Sequence, residues 1–329
     1  MKTVLVTGAT GMIGANVCKQ LISQGDRVRA IARKPEAPDA TALRELGVDV
    51  VPGDIADLDA VLSATQGVDG VIHSAALRGV PGATIANSLP PNVIGTINVL
   101  TAAWMVGGPP VVQLLTSTFF NTWDAPRSEV SPLDLLFRNK DPYSVTKRLA
   151  YLEGFARVDA GQDIRFMSPG AAYGPSPCLE NAMLHPNFNT HIAMAIRGEV
   201  DPQMPMLVPY VLADDCAYVC VAALEKGVAG ERYLAMGRAQ DVDTIANILN
   251  RACEVAGVSH RTQEVSRDQL DDPAIVEKYG TTMISLAKAA YPQPYVDSSV
   301  TEQQLDYVPT PLDEGLAIAI EWMRSNAFI

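Results

Sequence analysis

MKTVLVTGATGMIG, residues 1–14, is the stretch whose reading decides the fold. Lys2 to Thr7 form a short apolar run rich in β-branched residues, and it ends at Gly8, Gly11 and Gly14, spaced by three. Met12, Ile13, Val17, Leu21 and Ile22 then recur at helical spacing, and Gly25 stands where a helix stops. The unit is strand, glycine turn, helix. Glycines suit that turn because one makes a bend closed to other residues, one lets backbone approach a phosphate, and one lets helix and strand pack closely. The helix start then turns free N–H groups and a positive dipole end toward a pyrophosphate. A glycine triplet alone also fits an ordinary loop. Its place between strand and helix points to a dinucleotide site built from Gly8, Thr10, Gly11, Met12, Ile13 and Gly14.

The 329 residues allow one large domain or two ordinary ones. A hydrophobic share of 48% with 19% charged residues is that of a soluble globular protein. The net charge of −12 argues against a nucleic-acid or anionic-membrane surface. Cys18, Cys178, Cys216, Cys220 and Cys253 show no CxxC spacing and read as reduced, buried thiols of a cytoplasmic protein. His73, His185, His191 and His260 do not complete a metal set with them, so no metal is expected. The chain opens on a core strand, leaving no room for a signal peptide, and no apolar run is long enough to span a bilayer.

Apolar runs at 28–32, 48–51, 68–73, 111–115 and 164–167 alternate with helical patterns, which predicts an α/β, doubly wound parallel sheet of the Rossmann type. From 174 to 209 prolines recur and periodicity is poor, as expected of site-forming loops. A helix follows at 214–226, a strand at 231–236, a second irregular region at about 260–299 and an amphipathic helix at 312–323. The expected division places nucleotide binding on 1–173, with 211–256 joining it. A smaller, interleaved substrate-binding part takes 174–210 and 257–329.

The second strand chooses the cofactor. An enzyme that takes NAD places Asp or Glu at its end to bind the ribose 2′-OH, whereas Ala32 is followed here by Arg33 and Lys34. A guanidinium binds a 2′-phosphate bidentately, so NADP is expected, with NAD as the alternative; the bland reading is a solvated charge pair. After the third strand comes GDIAD, where Asp54 is placed to accept a hydrogen bond from the adenine amine, Ile55 is a further cofactor-binding candidate and Asp57 is the better N-cap. Ser74, Ala75 and Ala76 after the fourth strand let backbone lie against the cofactor, while His73 reads as a packed strand-end residue.

Tyr143 and Lys147 in YSVTK stand one above the other on a helix opened by Asp141 and Pro142. The ammonium is expected to favour phenolate and to make Tyr143 a general acid or base. A third partner should be a hydroxyl at the end of the fifth strand, and Thr118 is preferred over Ser117 in TST, 116–118. Ser and Thr there also serve as turn formers.

Together TGATGMIG, GDIAD, VIHSAA, NVIGTINVL, YSVTK and PGAAYGP resemble the extended short-chain dehydrogenase/reductases, over nearly the whole chain. The resemblance implies a catalytic set of Thr118, Tyr143 and Lys147, with Lys147 also binding the nicotinamide ribose. Pro169 and Gly170 would run beside the nicotinamide, and Asn92 would lie on the helix behind the site. It further implies a homodimer built from the Asn92 and Tyr143 helices. Within the family the sequence resembles the dihydroflavonol reductase, aldehyde/ketone reductase and 3β-hydroxysteroid dehydrogenase branch. Residues 174–215 carry one basic residue, Arg197, which disfavours a sugar-nucleotide diphosphate. Phe119, Phe120, Trp123, Leu133, Leu135, Leu136 and Phe137 suit an apolar or aromatic small-molecule substrate, or a core. Arg78, His185, Asn187, Tyr210 and Tyr291 are candidate polar pocket residues. The expected activity is hydride transfer between NADP and a neutral ketone, aldehyde or secondary alcohol. The competing readings are a nucleotide-sugar epimerase or dehydratase with tightly held NAD, and a non-catalytic NADP-binding sensor.

Overall fold

The structure is a computed structural model that describes residues 1–78, 82–116, 118, 127–133, 140–289 and 296–329. Seven strands form the central sheet: β1 (Thr3–Thr7), β2 (Arg27–Ala32), β3 (Asp49–Pro52), β4 (Gly70–His73), β5 (Val111–Leu114), β6 (Ile164–Pro169) and β7 (Arg232–Ala235). Their order is β7-β6-β5-β4-β1-β2-β3 and every pairing is parallel. Strand order therefore reverses between β1 and β4, and a crevice opens beyond their carboxyl ends, where open α/β sheets bind ligands. The predicted doubly wound α/β sheet is the fold observed.

Both faces are buried because alternate residues of each strand serve opposite layers. On one face Val4, Val6, Val28, Ala30, Ile72 and Val112 pack under α1 (Met12–Ser23) and, further along the chain, a helix at Ala213–Lys226. On the other, Leu5, Ile31, Val71, Val111 and Phe166 meet α3 (Leu58–Thr65), α5 (Gly95–Met105) and α6 (Pro142–Asp159). The helix α2 (Pro38–Glu45) joins β2 to β3, and α4 (Ile85–Leu89) runs into α5 through a π-helical turn at Pro90–Ile94. Two prolines lack the amide that a regular helix needs, and the wider turn accommodates them.

Two stretches expected to be irregular hold helices. Beyond a short α7 (Leu179–Ala182), α8 (Phe188–Arg197) starts at an Asn187–Thr190 capping box and stops at Gly198, φ 74°. The prolines of that region flank the helix instead of interrupting it. After α9, the Ala213–Lys226 helix, and α10 (Ile245–Ala256), the chain forms the 17-residue α11 (Pro273–Ala289). There Ile275, Val276, Tyr279, Ile284 and Ala287 close over Met204, Val265 and Leu270. Their helical spacing is broken up by charged residues, which hid the period. A separate core joins α8, α10 and α13 (Leu312–Ser325) to the short strands at Ala171–Tyr173 and Tyr210–Leu212. The helix α12 (Ser299–Leu305) precedes Tyr307, and Leu305 and Tyr307 pack back against the α9 layer.

His73 ends β4 fully buried, as the packed residue expected. Its Nε2 bonds to Thr96 Oγ1 at 2.9 Å, and Thr96 in turn donates to the Asn92 carbonyl, so Nε2 carries the ring proton. Nδ1 then accepts from the Thr7 hydroxyl at 2.7 Å. Burial, reinforced by the charge of Lys147, pulls its pKa down to about 3. The unfolded chain, with an ordinary histidine, takes up this proton first as pH drops below 6.5. The contribution is thus complete above that value and lost toward pH 3. Urea titrations should show stability falling by about 1.4 kcal/mol per pH unit across this window from this group. A His73→Gln protein should lack that component, and identical pH slopes in both proteins would refute the assignment.

Candidate active site

At the crevice the glycine turn lies against the end of β4. Gly8 has φ +70°, and a Cβ there would stand 2.6 Å from the Ala75 nitrogen. One on Gly14 would stand 2.3 Å from the Gly8 carbonyl oxygen. Side chains are therefore excluded at both positions, and backbone is presented to whatever occupies the crevice. Gly11 opens α1 with no side chain capping the first turn, so the amides that helix geometry leaves without partners point outward. Thr10, Met12 and Ile13 are partly exposed around them. The Ser74 hydroxyl donates to the Thr7 carbonyl at 2.7 Å and the Ala75 amide to Thr7 Oγ1 at 3.3 Å, stitching β1 to β4. Ala76 continues this edge, partly exposed. The vacant amides, the small residues and the excluded Cβ positions fit a pyrophosphate.

The remaining cofactor candidates stand at neighbouring strand ends. Arg33 and Lys34 follow β2 and are exposed. Asp54 follows β3, with one carboxylate oxygen accepting from the Ala56 amide at 2.9 Å. Asp57, not Asp54, caps α3. The Ile55 side chain is buried against α5, where a Cβ on Gly95 would meet it at 2.5 Å, and Asn98 Nδ2 donates to its carbonyl at 2.9 Å. Pro169 ends β6, and Gly170 donates to the Ala235 carbonyl at 2.8 Å. A Cβ on Gly170 would fall 2.3 Å from the Pro209 carbonyl oxygen.

The helix α6 starts as expected, with Asp141 accepting from the Ser144 amide at 3.0 Å and Pro142 in the first turn. Tyr143 and Lys147 follow one turn apart, but they do not form the expected pair. Lys147 is 2% exposed and its ammonium donates to the Leu114 carbonyl at the end of β5. Burial lowers its pKa to about 8. Burial also pushes the Tyr143 phenol up to about 12, with the charge of Asp141 adding to the rise. A hydrogen bond with Thr116 and the charge of Arg78 pull the other way. The expected lowering is therefore overturned: desolvation outweighs the nearby cation, which is Arg78. In this state the phenol holds its proton at neutral pH and is an acid.

The preferred hydroxyl, Thr118, is exposed and bonds to Ser144 Oγ at 2.5 Å and Thr116 Oγ1 at 3.2 Å. A line of hydroxyls runs Ser144, Thr118, Thr116, Tyr143. Thr116, not the preferred Thr118, is the phenol's hydrogen-bond partner; strand-end spacing does not reveal which hydroxyl turns inward. Ser117, Phe119, Phe120, Trp123, Leu135, Leu136, Phe137 and Tyr291 lie outside the described residues.

Behind these groups Asn92 accepts from the Leu77 amide at 2.6 Å and donates to the Leu77 carbonyl at 3.0 Å and to Thr146 Oγ1 at 2.9 Å. It clamps the loop after β4 to α6 beside Lys147. Arg78 extends from that loop to the carbonyls of Leu184 and Pro186, both at 3.5 Å. His185 pairs with Thr190 at 3.2 Å, Asn187 caps α8, and the buried Tyr210 hydroxyl has no partner among the described residues. Asn189, which no sequence motif marks, accepts from the Gly174 amide at 2.7 Å and donates to its carbonyl at 2.9 Å. Asp39 is likewise unmarked in the sequence, since a carboxylate in a first helical turn ordinarily only complements the dipole. Among the described residues there is no group of three or more His, Cys, Asp or Glu that could hold a metal, and no helix long and apolar enough to cross a membrane. The five cysteines are free and buried.

A family model for NAD dependent epimerase/dehydratase matches residues 4–235. The chain belongs to that family. Sterol demethylase protein B of Methylococcus capsulatus is 28% identical over 99% of this chain and all of its own. A putative dihydroflavonol 4-reductase of Synechocystis is 32% identical, over 52% of this chain and 49% of its own. The crystal structure of gox2253 superposes with a TM-score of 0.86 at 22% identity, over 100% of both chains, a likeness of fold. These relationships make the chain an enzyme of the NAD(P)-dependent oxidoreductase and epimerase group, acting on small molecules.

Proposed function

We propose that this family member is an NADP-dependent reductase or dehydrogenase for a neutral, apolar or aromatic ketone, aldehyde or secondary alcohol. One observation carries the reading: a proton-bearing Tyr143 beside Thr116 and Arg78, at the carboxyl edge where the glycine turn presents its amides. The nucleotide is held by Gly8, Thr10, Gly11, Met12, Ile13, Gly14, Asp54, Ile55, Ser74, Ala75, Ala76, Pro169 and Gly170. Arg33 and Lys34, with no carboxylate at the end of β2, receive the 2′-phosphate. When bound, the nicotinamide supplies or accepts the hydride. In reduction Tyr143 donates its proton to the substrate oxygen, and in oxidation it removes one. Thr118 and its hydroxyl line orient that oxygen and stabilise charge developing on it. Lys147 sits one helical turn away to hold the ribose, its position set by the Leu114 carbonyl. Nucleotide binding falls to 1–173 with 211–256, and substrate binding to 174–210 with 257–329.

The apolar substrate draws support from the full-length relative named for sterol demethylation. The sugar-nucleotide alternative lacks a phosphate-binding cation in 174–215. Arg197, the basic residue there, is engaged by Glu199 and the Phe328 carbonyl, both at 2.8 Å. Five buried thiols suit the reducing cytoplasm. A homodimer accounts for the apolar stripe of Leu149, Leu152 and Phe155, each more than 40% exposed along α6.

Tyr143→Phe should lower kcat for aromatic aldehydes and α-diketones by about 10²–10⁴-fold while leaving NADPH binding intact; wild-type turnover in that variant would end the assignment. Steady-state efficiency should favour NADPH over NADH, and Arg33→Asp should reverse the order; a wild-type enzyme equally efficient with NADH would overturn the cofactor choice. Light scattering should give twice the chain mass for the wild type and a monomer for Phe155→Glu, whereas a monomeric wild type would remove the dimer.

A further inference from the structure

We infer that Asp39 is a positioning residue that ties the adenosine end of the nucleotide site to the substrate segment 174–184, so that a 2′-phosphate at Arg33 and Lys34 tightens that segment. The inference rests on the proposed NADP reading and extends it to the substrate side.

Asp39 is six residues past Arg33, in the first turn of α2, yet it is 3% exposed. Its carboxylate turns away from its own helix. One oxygen accepts from the Glu180 amide at 3.1 Å, and the other from the Asn181 amide at 2.9 Å and Asn181 Nδ2 at 2.7 Å. A buried carboxylate needs such donors, and here all three come from one segment of the substrate part.

The same segment touches the nucleotide cradle at two more points. Asn16 of α1 donates to the Pro175 carbonyl at 2.9 Å, and Cys178 Sγ lies 3.4 Å from the Asp39 carbonyl oxygen and 3.9 Å from that of Ala9 in the glycine turn. The stretch between Arg33 and Asp39 is itself tied down. The Ala37 amide donates to the Lys34 carbonyl at 3.1 Å, and Arg44 donates to the Pro35 carbonyl at 2.7 Å. At its far end the segment gives the Leu184 carbonyl to Arg78, whose charge acts on Tyr143. Ordering of the Arg33 turn by a phosphate is thereby transmitted through Asp39 to Glu180 and Asn181. By linkage, ordering of the segment strengthens phosphate binding equally.

Hydrogen exchange of the full chain, with adenosine 2′,5′-bisphosphate and 5′-AMP as saturating probes, separates the cases. The bisphosphate should slow exchange at 179–184 by about tenfold, and 5′-AMP by less than half as much. In Asp39→Asn, whose carboxamide keeps one acceptor oxygen but sets an N–H donor against one of the two groups of donors, the bisphosphate should still bind within about tenfold, measured by calorimetry, but protection at 179–184 should be lost. Asp39→Glu should restore part of it. If the wild type binds the bisphosphate more tightly than 5′-AMP and exchange at 179–184 stays within twofold of the free protein, the inference is overturned while the NADP reading stands. Persisting protection in Asp39→Asn also overturns it. Equal affinities for the two probes would defeat the NADP reading itself, and the inference with it.

Discussion

The seating of the glycine turn on the end of β4 is the constraint from which the rest of the site follows. With Gly8 pressed on the Ala75 backbone and Gly14 on the Gly8 carbonyl, α1 must start at the point where strand order reverses. Its amides without helical partners then face the crevice, and no side chain caps them. Even one methyl at Gly8 or Gly14 would have to displace backbone, the least yielding of neighbours in a close-packed interior.

Polar anchoring at the strand ends does for the buried polar residues around the crevice what steric exclusion does for the glycine turn. Lys147 is fastened to Leu114, His73 between Thr7 and Thr96, and Asn92 between Leu77 and Thr146. Each is a buried group whose hydrogen bonds offset its desolvation, so each admits few arrangements. Burial also sets the protonation pattern. It pushes the phenol up and the ammonium down, so both favour their neutral forms relative to water. At Tyr143 the charge of Asp141, which caps the same helix, adds to the hold on the phenol proton.

The segment at 174–182 is attached to this frame in the same way. Asn16, Asp39 and Asn189 all bond backbone groups of 174–182, so a stretch with little regular structure of its own is held by side chains from outside or beyond it. A loop fixed by borrowed bonds can change sequence, and hence specificity, while keeping its course.

Local chemistry was enough to read the strand, glycine turn and helix, the parallel order of the sheet, the Asp141 and Pro142 helix start, and the absence of a carboxylate after Ala32. All of these depend on neighbours within one or two turns of chain, through periodicity, capping and φ preference. The helices α8 and α11 were less legible because prolines and charges masked their periods. Which hydroxyl meets Tyr143, which cation stands near it, and where the Asp39 carboxylate points were decided by tertiary structure alone. Those outcomes rest on contacts between residues tens to more than a hundred positions apart and on how much water each group loses, and neither quantity is written in local sequence.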